Sequence, residues 1–276
     1  MGQDVQKRWE YKYLVPVSAL DALREEMRPF LQLDPYASDR DNGTYTVRSI
    51  YMDTPDFACY RTKVDGMTYR KKYRVRGYDD PTGDDVIFLE IKRKCVNCIS
   101  KNRAPLVYRD LQPLLETGDL DRHILSFSGN GKEKADAQRY LYHYYGKGLR
   151  PVALIVYDRE AFVGRFDPSL RVTFDKNLRS RVFPALDGLF SEDQVRFAMT
   201  QYFILEVKFY NGLPAWVKSL IRRHDLQRQS LSKYTICLDS HREPKLFSRG
   251  ICSHGRSTHP IRVTHPLFEI PEPEYV

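Results

Sequence analysis

Apolar and polar residues alternate along much of this chain, most clearly where β-branched and aromatic residues are dense. Seven segments carry the pattern and are predicted as strands: 9–15, 45–52, 68–78, 86–94, 152–163, 170–176 and 201–210. Between the third and fourth, Asp79-Asp80-Pro81-Thr82-Gly83-Asp84 supplies the turn chemistry of a hairpin. Helical spacing predicts three helices. One starts at Ser18 as cap and runs to Phe30 on a Leu20, Leu23, Met27 stripe. The second covers 132–145 and stops at Gly146. The third, 213–224, turns Leu213, Trp216, Val217, Leu220 and Ile221 to one face and Lys218, Arg222 and Arg223 to the other. A shorter helix is expected around 106–115. No internal repeat is visible. From His241 onward five of the sixteen prolines fall among Ser, His and Arg, so the chain divides into a folded part, 1–240, and a poorly ordered tail, 241–276.

The strand faces hold the chemistry. Side chains two apart in a strand point the same way. Arg70, Lys72, Arg74 and Arg76 therefore share one face, as do Glu90, Lys92 and Lys94, against Ile87, Leu89 and Ile91 on the other. Glu206 and Lys208, Tyr157 and Arg159, Arg171 with Thr173 and Asp175, and Glu10 with Lys12 repeat the arrangement. For any one strand this describes the wet face of a half-exposed antiparallel sheet. Six strands of mixed-sign charge favour a second arrangement: an α+β fold with a closed antiparallel β-barrel of about eight strands, charged faces inward and helices packed outside. Such a lumen cannot be a dry core, because each unpaired buried cation costs several kcal/mol. Water and a bound polyanion have to supply the rest of the compensation.

Charge agrees with that picture. Lys and Arg number 44 against 36 Asp and Glu, a formal charge of +8. The last 36 residues hold five cations and four anions, so the excess belongs to the folded part and points to an anionic partner. No apolar run approaches the ~20 residues of a spanning helix. The polar start lacks an export signal, so a cytoplasmic location is expected. Five cysteines at irregular spacing give no disulfide framework, and Cys95-Val96-Asn97-Cys98 is a lone CxxC pair without a second.

At these residues the chain resembles the polyphosphate polymerase (VTC) domain, a branch of the CYTH-like, or triphosphate tunnel metalloenzyme, superfamily. The likeness spans about 9–239. It rests on Glu10-Tyr11-Lys12-Tyr13, Tyr51-Met52-Asp53-Thr54-Pro55-Asp56-Phe57, Lys72-Tyr73-Arg74-Val75-Arg76, Leu89-Glu90-Ile91-Lys92 and Ser100-Lys101-Asn102-Arg103. Tyr157-Asp158-Arg159, Leu170-Arg171, Leu205-Glu206-Val207-Lys208 and Leu231-Ser232-Lys233-Tyr234 follow in the expected order. The resemblance implies a basic tunnel for a triphosphate and a divalent metal, Mn²⁺ or Mg²⁺. Arg74, Arg76, Lys92, Lys101, Arg159, Arg171 and Lys233 would hold phosphates, with Lys12 at the reacting γ-phosphate. Ser232 and Tyr157 would add hydrogen bonds, and Glu206 would ligate the metal with Glu10 and Glu90 beside it.

Hydrolytic relatives begin Glu-x-Glu-x-Lys, whereas Arg8 stands at the first of those positions here. That departure favours ATP-dependent growth of polyphosphate, with ATP, orthophosphate and polyphosphate as partners, over a tripolyphosphatase. A non-catalytic module binding polyphosphate is the third possibility. Nucleic acid is not expected, since the Glu/Lys strand pairs repel a phosphate backbone unless a metal intervenes.

Overall fold

The computed structural model describes residues 8–40, 42–79, 85–96, 98–210 and 212–241. Among them are ten strands: β1 (Trp9–Pro16), β2 (Leu31–Leu33), β3 (Thr44–Asp53), β4 (Tyr69–Tyr78), β5 (Val86–Cys95), β6 (Cys98–Val107), β7 (Arg150–Gly164), β8 (Arg171–Val182), β9 (Arg196–Phe197) and β10 (Tyr202–Phe209). The helices are α1 (Leu20–Met27), α2 (Pro35–Ser38), α3 (Ala58–Val64), α4 (Leu111–Thr117), α5 (Leu120–His123), α6 (Lys132–Gly146), α7 (Ala215–Arg223) and α8 (Lys233–Ser240).

One antiparallel sheet runs β1-β10-β8-β7-β3-β4-β5-β6, with β2 added to β7 and β9 to β8. The α+β class therefore holds. No ladder joins β1 to β6 among the described residues. A side-chain contact nonetheless links β1 to β5, the strand next to the other end, where Lys92 reaches Glu10 at 3.2 Å.

The alternation read from the sequence sets the layers. Outward apolar side chains of β1, β8 and β10, among them Val15, Val172, Phe203 and Leu205, form one core with Leu23 and Met27 of α1 and Val217 and Leu220 of α7. Those of β3 to β7 form a second, larger core with α4 and α6, and that core also takes in residues of α3 and α8. Helices α1, α4, α6 and α7 thus lie on the apolar side of the sheet, leaving the charged face to the interior, where α8 begins.

A bulge maintains this division along β8. Val156 pairs with Arg179, but Asp158 pairs with Lys176, so β8 carries one extra residue opposite Tyr157. Asn177 takes the strain in the left-handed region at φ 52°. Before the bulge the odd residues Arg171, Thr173 and Asp175 face the interior. After it Arg179 turns outward, where it pairs with Glu192 and Asp158.

Several local expectations need correction. Residues 98–107 form β6, a full strand, and the helix placed around 106–115 begins as a 3₁₀ turn at Tyr108 and becomes α4 only from Leu111. Lys101 and Arg103 are what obscure the strand, because they read as loop polarity when they are really an inward face. Ser18 does not cap α1; it lies inside a 3₁₀ turn, Ala19 occupies the cap, and the helix ends at Met27. The second helix runs to Gly146 itself, and the chain turns at Gly148, φ 57°. Neither α3 nor α8 was expected. The β4–β5 hairpin is present, but its turn residues 80–84 and the tail from 242 lie outside the described residues.

Asp53 ties the unexpected helices together. Its buried carboxylate accepts from the backbone N–H groups of Cys59 and Tyr60 at the start of α3 and from the Tyr234 hydroxyl of α8 at 2.6 Å. Tyr234 also stacks on Tyr51, ring centroids 5.1 Å apart. The start of α8 is thereby fixed against the inner face of β3.

Candidate phosphate tunnel

The inward faces enclose a cavity of about 880 Å³. Among its described lining residues twelve are Lys or Arg and four are Asp or Glu. All the expected phosphate ligands come to this one space: Lys12 from β1, Arg74 and Arg76 from β4, Lys92 from β5, Lys101 from β6, Tyr157 and Arg159 from β7, Arg171 from β8, and Ser232 with Lys233 at the start of α8. Lys72, Arg103 and Lys208 join them. Those three share strand and face with named residues, so the two-residue period already pointed to them. Asp34 and Tyr36 also reach the cavity from the β2–α2 region, where no periodic signal exists.

Three carboxylate centres hold the cations apart. Glu90 is fully buried and accepts from Arg74 at 2.6 and 2.7 Å, with Lys101 beside it, Arg103 at 3.4 Å and Arg76 at 3.9 Å. Burial works against its ionisation, but Arg74, Arg76 and Lys101 together pull its carboxyl far below the usual range. Asp175, also fully buried, binds Arg159 through two hydrogen bonds of 2.6 and 2.8 Å and takes Lys233 as well. Burial opposes its charge too, yet Arg159 and Lys233 bring it down to about 2. The third centre is the Glu10–Glu206 pair. Lys12 lies 2.8 Å from Glu10 and 3.3 Å from Glu206, Lys208 contacts Glu206, and Lys92 approaches Glu10.

Two carboxylates this close should resist double ionisation. Burial and the charge of Glu206 do raise the Glu10 pKa, but Lys12, Lys92 and Lys208 overcome them and hold it at about 2. Glu206 is likewise held well below its ordinary value by Lys208 and Lys12 against burial. Lys12 pays its own desolvation and is still raised by both glutamates. It is a permanent cation rather than a proton carrier.

These surroundings separate the three acids expected beside a metal. Glu90 is fully buried behind the cavity lining, where it anchors Arg74, Lys101 and Arg103 and offers no open side to a metal ion. Glu10 and Glu206 fit better. They are two ionised carboxylates at the cavity wall, and Mg²⁺-type sites commonly take one or two carboxylates with the rest of the shell from water and phosphate. The Thr173 hydroxyl, on the residue paired across the ladder with Glu206, is buried with no hydrogen-bond partner among the described residues. Among the described residues no cluster of three His, Cys, Asp or Glu converges, so water and phosphate oxygens would complete any such shell.

The remaining cations lack full compensation. Lys72 is pushed well below the ordinary lysine value by burial and by Lys12, Lys92 and Arg74, and its ammonium donates to Ser232 Oγ at 2.7 Å. Burial outweighs the pull of Glu10 and Glu206 and, with repulsion from Lys12 and Lys208 added, brings Lys92 to about 8. Lys101 also falls to about 8, from burial and the proximity of Arg74 and Arg103. A bound polyanion would restore both to full protonation. Above pH ~8 the triphosphate of ATP has no proton left to give, so ATP binding there should take up one to two protons and weaken as pH rises. Calorimetry in two buffers of different ionisation heat measures the uptake directly; binding with no proton uptake at about pH 8.5 would contradict the assignment.

Arg171 is the least committed of the expected ligands. It pairs with Asp34 at 2.7 Å on the cavity rim and keeps much of its side chain accessible.

The VTC domain family matches residues 7–241 of this chain. No curated protein matches. Among solved structures, the chain is similar to a putative adenylyl cyclase from Hippeastrum described as having a dominant triphosphatase activity, at 14% identity and a TM-score of 0.47, covering 85% of this chain and 97% of that one. A Pyrococcus horikoshii protein gives 13% identity, a TM-score of 0.44 and coverage of 85% and 99%. The Mimivirus capping enzyme triphosphatase gives 10%, 0.30, and coverage of 78% and 88%.

Proposed function

The chain belongs to the VTC domain family, and from that premise we propose that it is a metal-dependent polyphosphate polymerase. In this reading the γ-phosphate of ATP passes to orthophosphate or to the end of a growing polyphosphate, and ADP leaves. The observation that carries the proposal is the excess of cations around one enclosed cavity, with an ionised glutamate pair set against Lys12 on its wall.

Phosphoryl transfer asks little covalent chemistry of a protein. It needs in-line placement and neutralised charge. An oxygen of the acceptor phosphate attacks the γ-phosphorus, and the bond to the β–γ bridging oxygen breaks, leaving its electrons on ADP. Lys12 holds a fixed positive charge at the transferred group. Arg74 and Arg76, oriented by Glu90 and by Ser49 Oγ at 3.1 Å, offer guanidinium forks to non-bridging oxygens. Arg159 and Lys233, tethered to Asp175, and Lys92, Lys101 and Arg171 hold the remaining phosphates. Tyr157 lies 3.4 Å from Arg76 and beneath the Lys233 ammonium, which keeps its hydroxyl in the phosphate path. Glu206 and Glu10 would hold Mn²⁺ or Mg²⁺, which would supply positive charge to offset that of the phosphates.

Purified protein incubated with ATP and Mn²⁺ should produce a ladder of polyphosphate on a gel together with ADP. ATP consumption that releases free phosphate alone would replace this reading with a triphosphatase. Polyphosphate binding without turnover under either metal would replace it with a binding module. Among the described residues no helix is long and apolar enough to cross a membrane.

A further inference from the structure

The cavity is not uniform along its length. One end, at the finish of β4 and the beginning of β5, is aromatic: Tyr36, Tyr45, Tyr78 and Phe88 all line it. Their rings contact one another edge-on or tilted, Tyr36 against Tyr45 at 4.8 Å, Tyr36 against Tyr78 at 5.8 Å and Tyr78 against Phe88 at 6.2 Å. The Arg103 guanidinium lies 3.4 Å from the Phe88 ring centroid and donates to the Tyr78 hydroxyl at 3.3 Å. Arg40 lies over Tyr36 at 4.5 Å. Tyr36 keeps 41% of its surface exposed despite this company. A bare chain of phosphates has no use for such faces, since they offer it neither charge nor many donors.

We infer that this end is a base-stacking subsite, and that it seats the nucleobase and ribose of the donor nucleotide while the triphosphate extends toward Lys12 and Glu206. The inference rests on ATP being the phosphate donor. Flat aromatic rings and a guanidinium plane are the groups that hold a base by stacking without reading its sequence identity. The spacing fits. Phe88 and Lys92 lie on the same face of β5 four residues apart, roughly 13 Å at strand rise, a span that a ribose and its phosphates cover. Arg103 and Lys101 on β6 stand beside them in register, Arg103 opposite Glu90 and Lys101 opposite Lys92. The base end and the phosphate end are therefore joined by a continuous row of cations. The arrangement gives the tunnel a direction: the nucleoside is held at the aromatic mouth, so ADP leaves from that side and the polymer grows away toward Lys72 and Ser232.

The test uses the full chain without divalent metal, so that no turnover occurs, and titrates ATP and inorganic tripolyphosphate separately into wild type, Tyr36→Ala, Tyr36→Phe and Phe88→Leu. Tyr36→Ala and Phe88→Leu should each weaken ATP by about tenfold, the usual effect of removing one stacking ring, and leave tripolyphosphate affinity unchanged. Tyr36→Phe keeps the ring but loses the hydrogen bond from its hydroxyl to Asp79, and should bind ATP like wild type. Equal losses for both ligands, no loss for either, or a Tyr36→Phe as weak as Tyr36→Ala overturns the inference. Wild type that binds tripolyphosphate but not ATP overturns it while leaving the phosphate site standing. Wild type that binds neither overturns both, and a failure to form the polyphosphate ladder tests the polymerase reading alone.

Discussion

Glu206→Gln should reduce metal-dependent turnover of ATP by about a thousandfold or more, the scale of losing a principal electrostatic element of a phosphoryl-transfer site. The substitution keeps shape and removes one charge. Lys12 retains Glu10 at 2.8 Å, so its position survives; Lys208 loses its partner and turns to water in the cavity. The decisive feature is the sign of two simultaneous effects. With one anion fewer in a cationic cavity, metal-free tripolyphosphate should bind more tightly, while the Mn²⁺ or Mg²⁺ concentration needed for half-maximal rate should rise steeply. If Glu206 is merely the ion-pair partner of Lys208, turnover and metal dependence stay near wild type and only thermal stability falls. Measuring rate against metal concentration alongside tripolyphosphate affinity separates the two.

The distribution of charge between the sheet's faces could be read from the sequence because strand side chains alternate with a fixed period. Once Arg74 and Arg76 were placed on one face and Val75 on the other, the inward or outward choice was the remaining unknown. The amphipathic α7 stripe at Val217 and Leu220 resolves it physically, since that helix needs an apolar sheet face to cover and finds Leu205 and Val207. What the period could not supply was pairing across distance. Nothing in the local pattern around Asp34 links it to Arg171, 137 residues away, and the Asp53–Tyr234 bond that seats α8 joins residues 181 apart. The bulge at Asn177 was equally hidden, because the left-handed residue there is an ordinary asparagine in a charged run. Strand β6 was lost for a different reason: its inward face is as cationic as a loop, and only pairing with β5 identifies it.

The family resemblance groups Glu90 with the metal ligands, and its surroundings argue for another role that has a large measurable consequence. Its carboxylate is the common counter-charge of Arg74, Lys101 and Arg103, with Arg76 nearby. Glu90→Gln leaves the largely buried Arg74 and Arg76 against a neutral amide, with the partly exposed Lys101 and Arg103 beside them. Removing one partner of a buried ion pair costs about 3–5 kcal/mol, which for a domain of this size lowers the melting temperature by about 10 °C. Tripolyphosphate brings replacement negative charge to the same guanidinium groups. At a thousandfold excess over its dissociation constant a ligand contributes about 4 kcal/mol of stability, enough to offset most of the loss. The melting temperature of Glu90→Gln should therefore rise more on adding tripolyphosphate than that of wild type does, because the variant's arginines have no competing carboxylate. A metal-ligating Glu90 predicts the reverse pattern: near-normal stability without ligand, an unchanged response to tripolyphosphate, and a loss confined to metal-dependent turnover. Thermal melts of both proteins with and without tripolyphosphate, in the absence of divalent cations, decide whether this carboxylate belongs to the arginines or to a metal.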